Sequence, residues 1–188
     1  MKKLLYIIIA IVAIVGVLAI LRPTKSHASG NKVLVAYFSA TGNTRGVAER
    51  LANATGADLF EIKPAVAYSS DDLDWRNNKS RSSVEMGDKN SRPAIASNVE
   101  DITQYKIVFL GFPIWWGREP SVVDTFLSAY DFSGKTIIPF ATSGSTPSTE
   151  QAAESIRAII PSANVLTGAR FPVDVSADEL KTWAGEWL

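Results

Sequence analysis

Cysteine is absent from this 188-residue chain, and histidine occurs once, as His27. The first absence excludes disulfides, thiol nucleophiles, iron–sulfur clusters and Cys-ligated zinc. Also missing is an excess of either charge: 19 Lys and Arg balance 19 Asp and Glu. A nucleic-acid binder needs a basic footprint, so no nucleic-acid partner is expected. The chain lacks Gly-x-x-x-x-Gly-Lys-Ser/Thr, which excludes a nucleotide triphosphate loop, and lacks Gly-x-Gly-x-x-Gly, which disfavours a dinucleotide fold. No internal repeat or low-complexity tract occurs. What is there is 46% hydrophobic and 20% charged, enough chain for one domain with a substantial core.

Apolarity is unevenly spread. Met1-Lys2-Lys3 precedes 18 residues, Leu4 to Leu21, without a charged or strongly polar side chain. As a helix that run spans about 27 Å, close to the hydrocarbon thickness of a bilayer. The expectation is a membrane anchor or signal peptide over residues 1–28, with the membrane met through residues 4–21. The run exceeds a usual signal-peptide core, which favours a single N-terminal anchor; cleavage after Ala28, and hence secretion, is the alternative. Lysines and arginines flank both ends of the run, so the positive-inside rule decides little. The N-terminal amine tips the topology towards an extracytoplasmic domain. Setting aside Lys2, Lys3, Arg22 and Lys25 leaves 15 bases against 19 acids, a domain of about −4 that holds no histidine. A Ser-His triad, a Cys-His pair, a His-ligated metal and an imidazole base are thereby excluded from it. Its chemistry would run on carboxylates, hydroxyls, lysine or arginine, or on an imported cofactor.

Within the domain, short apolar runs rich in β-formers alternate with helical patterns. Strands are expected at Lys32–Phe38, Asp58–Ile62, Lys106–Gly111, Lys135–Ala141 and Asn164–Thr167. Helices are expected from Arg45 to Ala54, from Pro120 to Tyr130, from Ser148 with a capping box to Gln151, and from a Ser176–Glu179 cap to Trp187. Such alternation implies right-handed βαβ units and a mainly parallel sheet covered on both faces. Residues 67–98 break the pattern; they read as a long polar surface loop, anchored by Trp75 and Met86, or as a lid.

In open parallel sheets, ligands sit outside the carboxyl ends of the strands, which directs attention to three loops. Ser39-Ala40-Thr41-Gly42-Asn43-Thr44 places three hydroxyls and a glycine where a buried strand turns into a helix, a setting suited to a phosphate. Pro113-Ile114-Trp115-Trp116-Gly117 sets two adjacent tryptophans just past a strand end. They would stack on a planar ligand or pack on the base of their own loop. Thr142-Ser143-Gly144-Ser145 offers hydroxyls and backbone donors to the polar edge of a heterocycle.

With these three loops in this order, residues 31–188 resemble the flavodoxin family, in its branch with a Pro-Ile-Trp-Trp-Gly loop. The resemblance implies a flavodoxin-like three-layer α/β sandwich whose five-stranded parallel sheet runs in the order 2-1-3-4-5. It implies one non-covalent FMN: phosphate at Ser39–Thr44, isoalloxazine flanked by Gly111–Gly117, and a third contact at Thr142–Ser145. It also implies electron transfer to a redox partner protein or a small-molecule acceptor. An NAD(P)H-dependent quinone or flavin reductase on the same fold is the alternative, with Arg76, Arg81 or Arg92 meeting a phosphate. A non-redox anchored binding module is the third reading. A net charge of only about −4, the leader and residues 67–98 depart from the acidic, compact members of the family.

Overall fold

A computed structural model describes residues 32–142 and 148–188. The expected leader, with its span at 4–21 and its cleavage point after Ala28, lies outside the described residues, as do Ser143, Gly144 and Ser145. Among the described residues no helix is long and apolar enough to cross a membrane.

Six strands form one parallel sheet: β1 (Lys32–Tyr37), β2 (Asp58–Glu61), β3 (Tyr105–Pro113), β4 (Thr136–Thr142), β5 (Asn164–Val165) and β6 (Ala169–Phe171). The order is β2-β1-β3-β4-β5, and β6 also pairs with β4, beyond β5 on the same edge. The fifth strand expected over Asn164–Thr167 is therefore shorter, ending at Val165, and β6 is an additional strand. Gly168 turns the chain between them: its φ is 75°, and a Cβ there would lie 1.8 Å from the Pro139 carbonyl oxygen. Only glycine satisfies both constraints.

Among the described residues there are five α-helices: α1 (Asn43–Thr55), α2 (Arg81–Gly87), α3 (Ser121–Ala129), α4 (Glu150–Ile159) and α5 (Ala177–Ala184). Strand residues alternate between two cores, as the two-residue period of a pleated strand requires. Leu34, Ala36, Phe38, Val108, Leu110 and Phe112 meet Val122, Phe126 and Ile156 from α3 and α4. Val35, Tyr37, Phe109, Ile138 and Phe140 meet Val47, Leu51, Leu180 and Ala184 from α1 and α5 on the opposite face. The result is three layers, with the carboxyl ends of β1, β3 and β4 on one rim.

Two local expectations are corrected. Ser148 and Gln151 form no capping box: α4 starts at Glu150, its N-cap Thr149 makes no side-chain cap, and the Thr149 hydroxyl donates to the Thr167 carbonyl instead. The β5–β6 connection captures the hydroxyl that would otherwise cap the helix. Residues 67–98 are not one loop. They carry α2, N-capped by Ser80, whose Oγ accepts from the Ser83 amide. Pro64 and Ile95 close the segment as an antiparallel bridge. Trp75 is 67% exposed and is not the buried anchor expected. The anchor is Tyr68, whose ring meets Phe38 and Trp115 edge-on and whose hydroxyl bonds Glu85. Met86, half-buried, does hold the segment down, with its sulfur against the Ser121 hydroxyl. The Ser176 cap forms as expected, accepting from the Glu179 amide.

Candidate functional site

The first loop leaves β1 at Phe38 and enters α1 at Asn43. Gly42 caps that helix in the left-handed conformation, φ 92°, and its amide donates to Ser39 Oγ at 3.1 Å. The first amides of α1 have no partner within the helix and point, with the positive dipole end, over the rim. Thr44 is buried, and its hydroxyl pairs with that of Thr142 at the end of β4, 2.8 Å away. Sequence reasoning placed these two threonines in separate loops; the fold brings them into direct contact. A cavity of about 420 Å³ opens here, lined by Ser39, Ala40, Thr41, Asn43, Thr44, Pro113 and Thr142. Its far wall is Arg170, Phe171, Pro172 and Val173, which sequence reasoning missed. They come from the sixth strand and its exit, and no motif marks that stretch.

The second loop continues β3. Trp115 and Arg118 exchange backbone hydrogen bonds of 2.9 and 3.1 Å, closing a two-residue turn whose central residues are Trp116 and Gly117. Both have positive φ, 47° and 88°, the signs of a type I′ turn. Gly117 also abuts the Gln151 side chain, where a Cβ would come within 2.4 Å of Oε1. The two tryptophans divide between the two readings. Trp115 is half-buried and packs edge-on against Phe38 and Tyr68, with ring centroids 5.7 and 5.3 Å away. Trp116 is 51% exposed despite its strained backbone. Ile114 links the loops, its amide reaching the Thr142 carbonyl at 3.4 Å. A second cavity of about 360 Å³ lies beside the turn, lined by Leu73, Trp75, Ser82, Ile114, Trp115 and Trp116.

Of the arginines assigned to a nucleotide phosphate, two are engaged elsewhere. Arg81 pairs with Glu85, donates to the Val66 carbonyl and lies over the Tyr68 ring. Arg92 bonds Ser128 and the Lys89 and Ser91 carbonyls. Arg76 lies over the exposed Trp75 ring.

Behind the turn sits a charged cluster that sequence reasoning also missed. Arg118 Nη1 meets Asp124 Oδ2 at 2.8 Å and Glu119 Oε1 at 3.6 Å. Glu119 is fully buried and Asp124 is 2% exposed. Burial, and then the neighbouring Asp124 charge, push the Glu119 carboxyl up to about 8. Burial raises Asp124 as well, opposed by its contacts with Glu119 and Arg118. One signal was available in sequence: Asp124 stands among Val122, Val123, Phe126 and Leu127, on a helix expected to bury that face. No group of His, Asp and Glu among the described residues is arranged to hold a metal.

Comparison with known proteins fits this arrangement. A family model described as Flavodoxin matches residues 32–187. Two solved structures of candidate flavoproteins, from Bacteroides eggerthii DSM 20697 and Bacteroides uniformis ATCC 8492, are each 44% identical, with TM-scores of 0.76 and 0.78. The first alignment covers 82% of this chain and 96% of that one, the second 83% and 99%. A flavoprotein of Lactobacillus acidophilus NCFM, solved with FMN, is 23% identical over 82% of this chain and 99% of its own, with a TM-score of 0.60. No curated protein matches.

Proposed function

The chain belongs to the flavodoxin family, and from that premise we propose that it binds FMN non-covalently on this rim and carries electrons through it. The observation that carries the reading is the meeting of three strand ends at one cavity. The hydroxyl loop, Pro113 at the end of β3 and Thr142 come together there, with Thr44 fastened to Thr142, and the tryptophan turn that follows Pro113 walls the second cavity.

The donor set fits the group. Ser39, Thr41 and Thr44 bring hydroxyls to a helix N-terminus, and Arg170 adds a cation on the opposite wall of the cavity. A phosphate monoester meets neutral donors and a dipole end there without a loop lysine. Trp116, half-exposed on a rigid two-residue turn, offers an indole face to a planar ring. Trp115, Phe38 and Tyr68 form the apolar support beneath that turn. When bound, FMN supplies one- and two-electron chemistry that no side chain of this domain can perform. The protein's part is to hold the phosphate, orient the ring and exclude water from one face.

The partner is a redox protein or a small-molecule acceptor, and the domain works outside the cytoplasm, held by residues 4–21 or released after Ala28. A second reading, an NAD(P)H-dependent quinone or flavin reductase, is favoured by the cavity walled by Trp75 and Trp116. That space beside the turn suits a second flat ring.

The test uses the full chain, solubilised in mild detergent, mixed with FMN and desalted. Retained visible flavin absorption and an FMN-dependent rise in Tm are expected. A colourless protein with no thermal shift would reject the reading and leave a non-redox binding module. Saturable NAD(P)H oxidation with a quinone acceptor would establish the reductase in place of the simple carrier.

A further inference from the structure

The cluster behind the turn contains a contradiction that a proton resolves. Glu119 Oε2 and Asp124 Oδ1 are both buried, and neither has a hydrogen donor. The other oxygens are served: Ser155 donates to Glu119 Oε1, and Arg118 donates to Asp124 Oδ2. The two carboxyls share one cation, Arg118 Nη1, at 3.6 Å from Glu119 Oε1 and 2.8 Å from Asp124 Oδ2. Two ionised carboxylates on one buried cation, each with an orphaned oxygen, is the arrangement that buried sites avoid. One proton between them supplies the missing donor and removes one charge.

We infer that Glu119 and Asp124 hold a single proton between their facing carboxyl groups, and that this proton positions the Trp115–Arg118 turn through Arg118. The path is short. Arg118 closes the turn with its backbone, and its guanidinium is 14% exposed, fixed by Asp124, Glu119 and Ser121. Glu119 ties the same cluster to α4 through Ser155, and α4 supports Gly117 through Gln151. With the proton present, the pair carries one negative charge, matched by Arg118. Without it, a second charge appears in a dry site and the two carboxyls repel. Every charged group facing the pair bears on this balance: Arg118 from the turn, Arg92 at 3.8 Å from Asp124, and Lys89 and Glu154 on the wall of the adjoining cavity. The relevance of the turn to a ligand rests on the FMN reading; the shared proton does not.

The domain is well suited to the test, because it contains no histidine or cysteine to titrate near neutral pH. In the full, isotope-labelled chain in detergent without FMN, the carboxyl ¹³C resonances of Glu119 and Asp124 should both report the upper of the pair's two titration steps, the loss of the shared proton. For Glu119 that step belongs near pH 8, well above ordinary carboxylates. The Gly117 amide and the Trp116 indole N–H should follow the same step. Glu119→Gln, whose amide donates without titrating, should hold the turn at its low-pH position throughout. Both carboxyl resonances titrating near their usual values would overturn the shared proton. A turn indifferent to the step, or a step that survives Glu119→Gln, would overturn the positioning role. Adding FMN separates the two readings. Turn resonances that titrate but do not shift with FMN would reject the FMN reading and leave the proton in place.

Discussion

Replacing Thr44 by valine tests whether one hydroxyl pair holds the first loop to β4. Thr44 and Thr142 are 1% and 6% exposed, with their hydroxyl oxygens 2.8 Å apart. Valine keeps the β-branched shape, and its helix propensity is close to that of threonine. Either single change strands the other hydroxyl in a buried position, at a cost of about 1–2 kcal/mol. For a domain of this size that corresponds to a fall in Tm of roughly 3–6 °C. Changing both residues removes donor and acceptor together, and most of the loss should return, giving a coupling energy of about 1–2 kcal/mol. Urea and thermal unfolding of the four proteins without FMN completes the cycle. A double variant as unstable as the sum of the singles would refute the pairing. FMN titration supplies the functional half: the double variant, although stable again, should bind FMN about tenfold more weakly, because a hydroxyl donor to a charged group is gone.

Further outcomes follow from the same geometry. Thr41→Ala, exposed at the mouth of the larger cavity, should weaken FMN by on the order of 1 kcal/mol in a fluorescence titration and leave Tm unchanged. Trp115→Ala should lower stability by roughly 2–3 kcal/mol through lost packing on Phe38 and Tyr68, whereas Trp116→Ala should stay within about 1 kcal/mol and chiefly shift the bound flavin's potential; the reverse pattern would undo the division between the two tryptophans. Gly168→Ala should cost on the order of 3 kcal/mol or more in urea unfolding, since its Cβ collides with the Pro139 carbonyl at a positive φ. The Glu119 carboxyl is raised in the folded state, so its contribution is intact below its unfolded value near 4.5 and is lost as pH rises through about 8. Wild type should therefore lose a few kcal/mol relative to Glu119→Gln across that window, and parallel stability–pH curves would count against it.

The fold was legible because its signals are local and repeated. Uninterrupted apolar strands such as Val33–Phe38 and Ile107–Phe112 are what two-sided burial demands, and α3 and α5 begin where Pro120 and Ser176 mark them. The misses are places where a distant group decides. Thr149 gives its hydroxyl to Thr167, so the Ser148 box fails. Gly168 turns the chain into the unexpected β6, packed so closely that the Pro139 carbonyl occupies the space a Cβ would need. Tyr68, not Trp75, fastens residues 67–98, because only Tyr68 reaches Phe38 and Glu85. At the site, residue types identified the loops, but partners did not follow from type. The Thr44–Thr142 bond joins residues 98 positions apart, and the wall from Arg170 to Val173 carries no motif at all.

Departures from good local design concentrate at one turn, and that concentration bears on function. Type I′ turns favour Asn-Gly, yet here a tryptophan holds the first positive φ and remains half-exposed. A non-glycine residue in that region costs about 1–2 kcal/mol. The strain gains Trp116 less burial than Trp115 obtains beside it. Immediately behind, two buried acids oppose each other where apolar side chains would pack without cost. Departures elsewhere stand singly, such as the uncapped start of α4 or the exposed Trp75, whereas at the turn a positive φ, an exposed indole and two orphaned buried oxygens coincide. The coincidence of several departures at one place marks it as shaped by something other than folding. Here it is the turn that presents an indole face over a cavity, with a proton-dependent cluster setting its position.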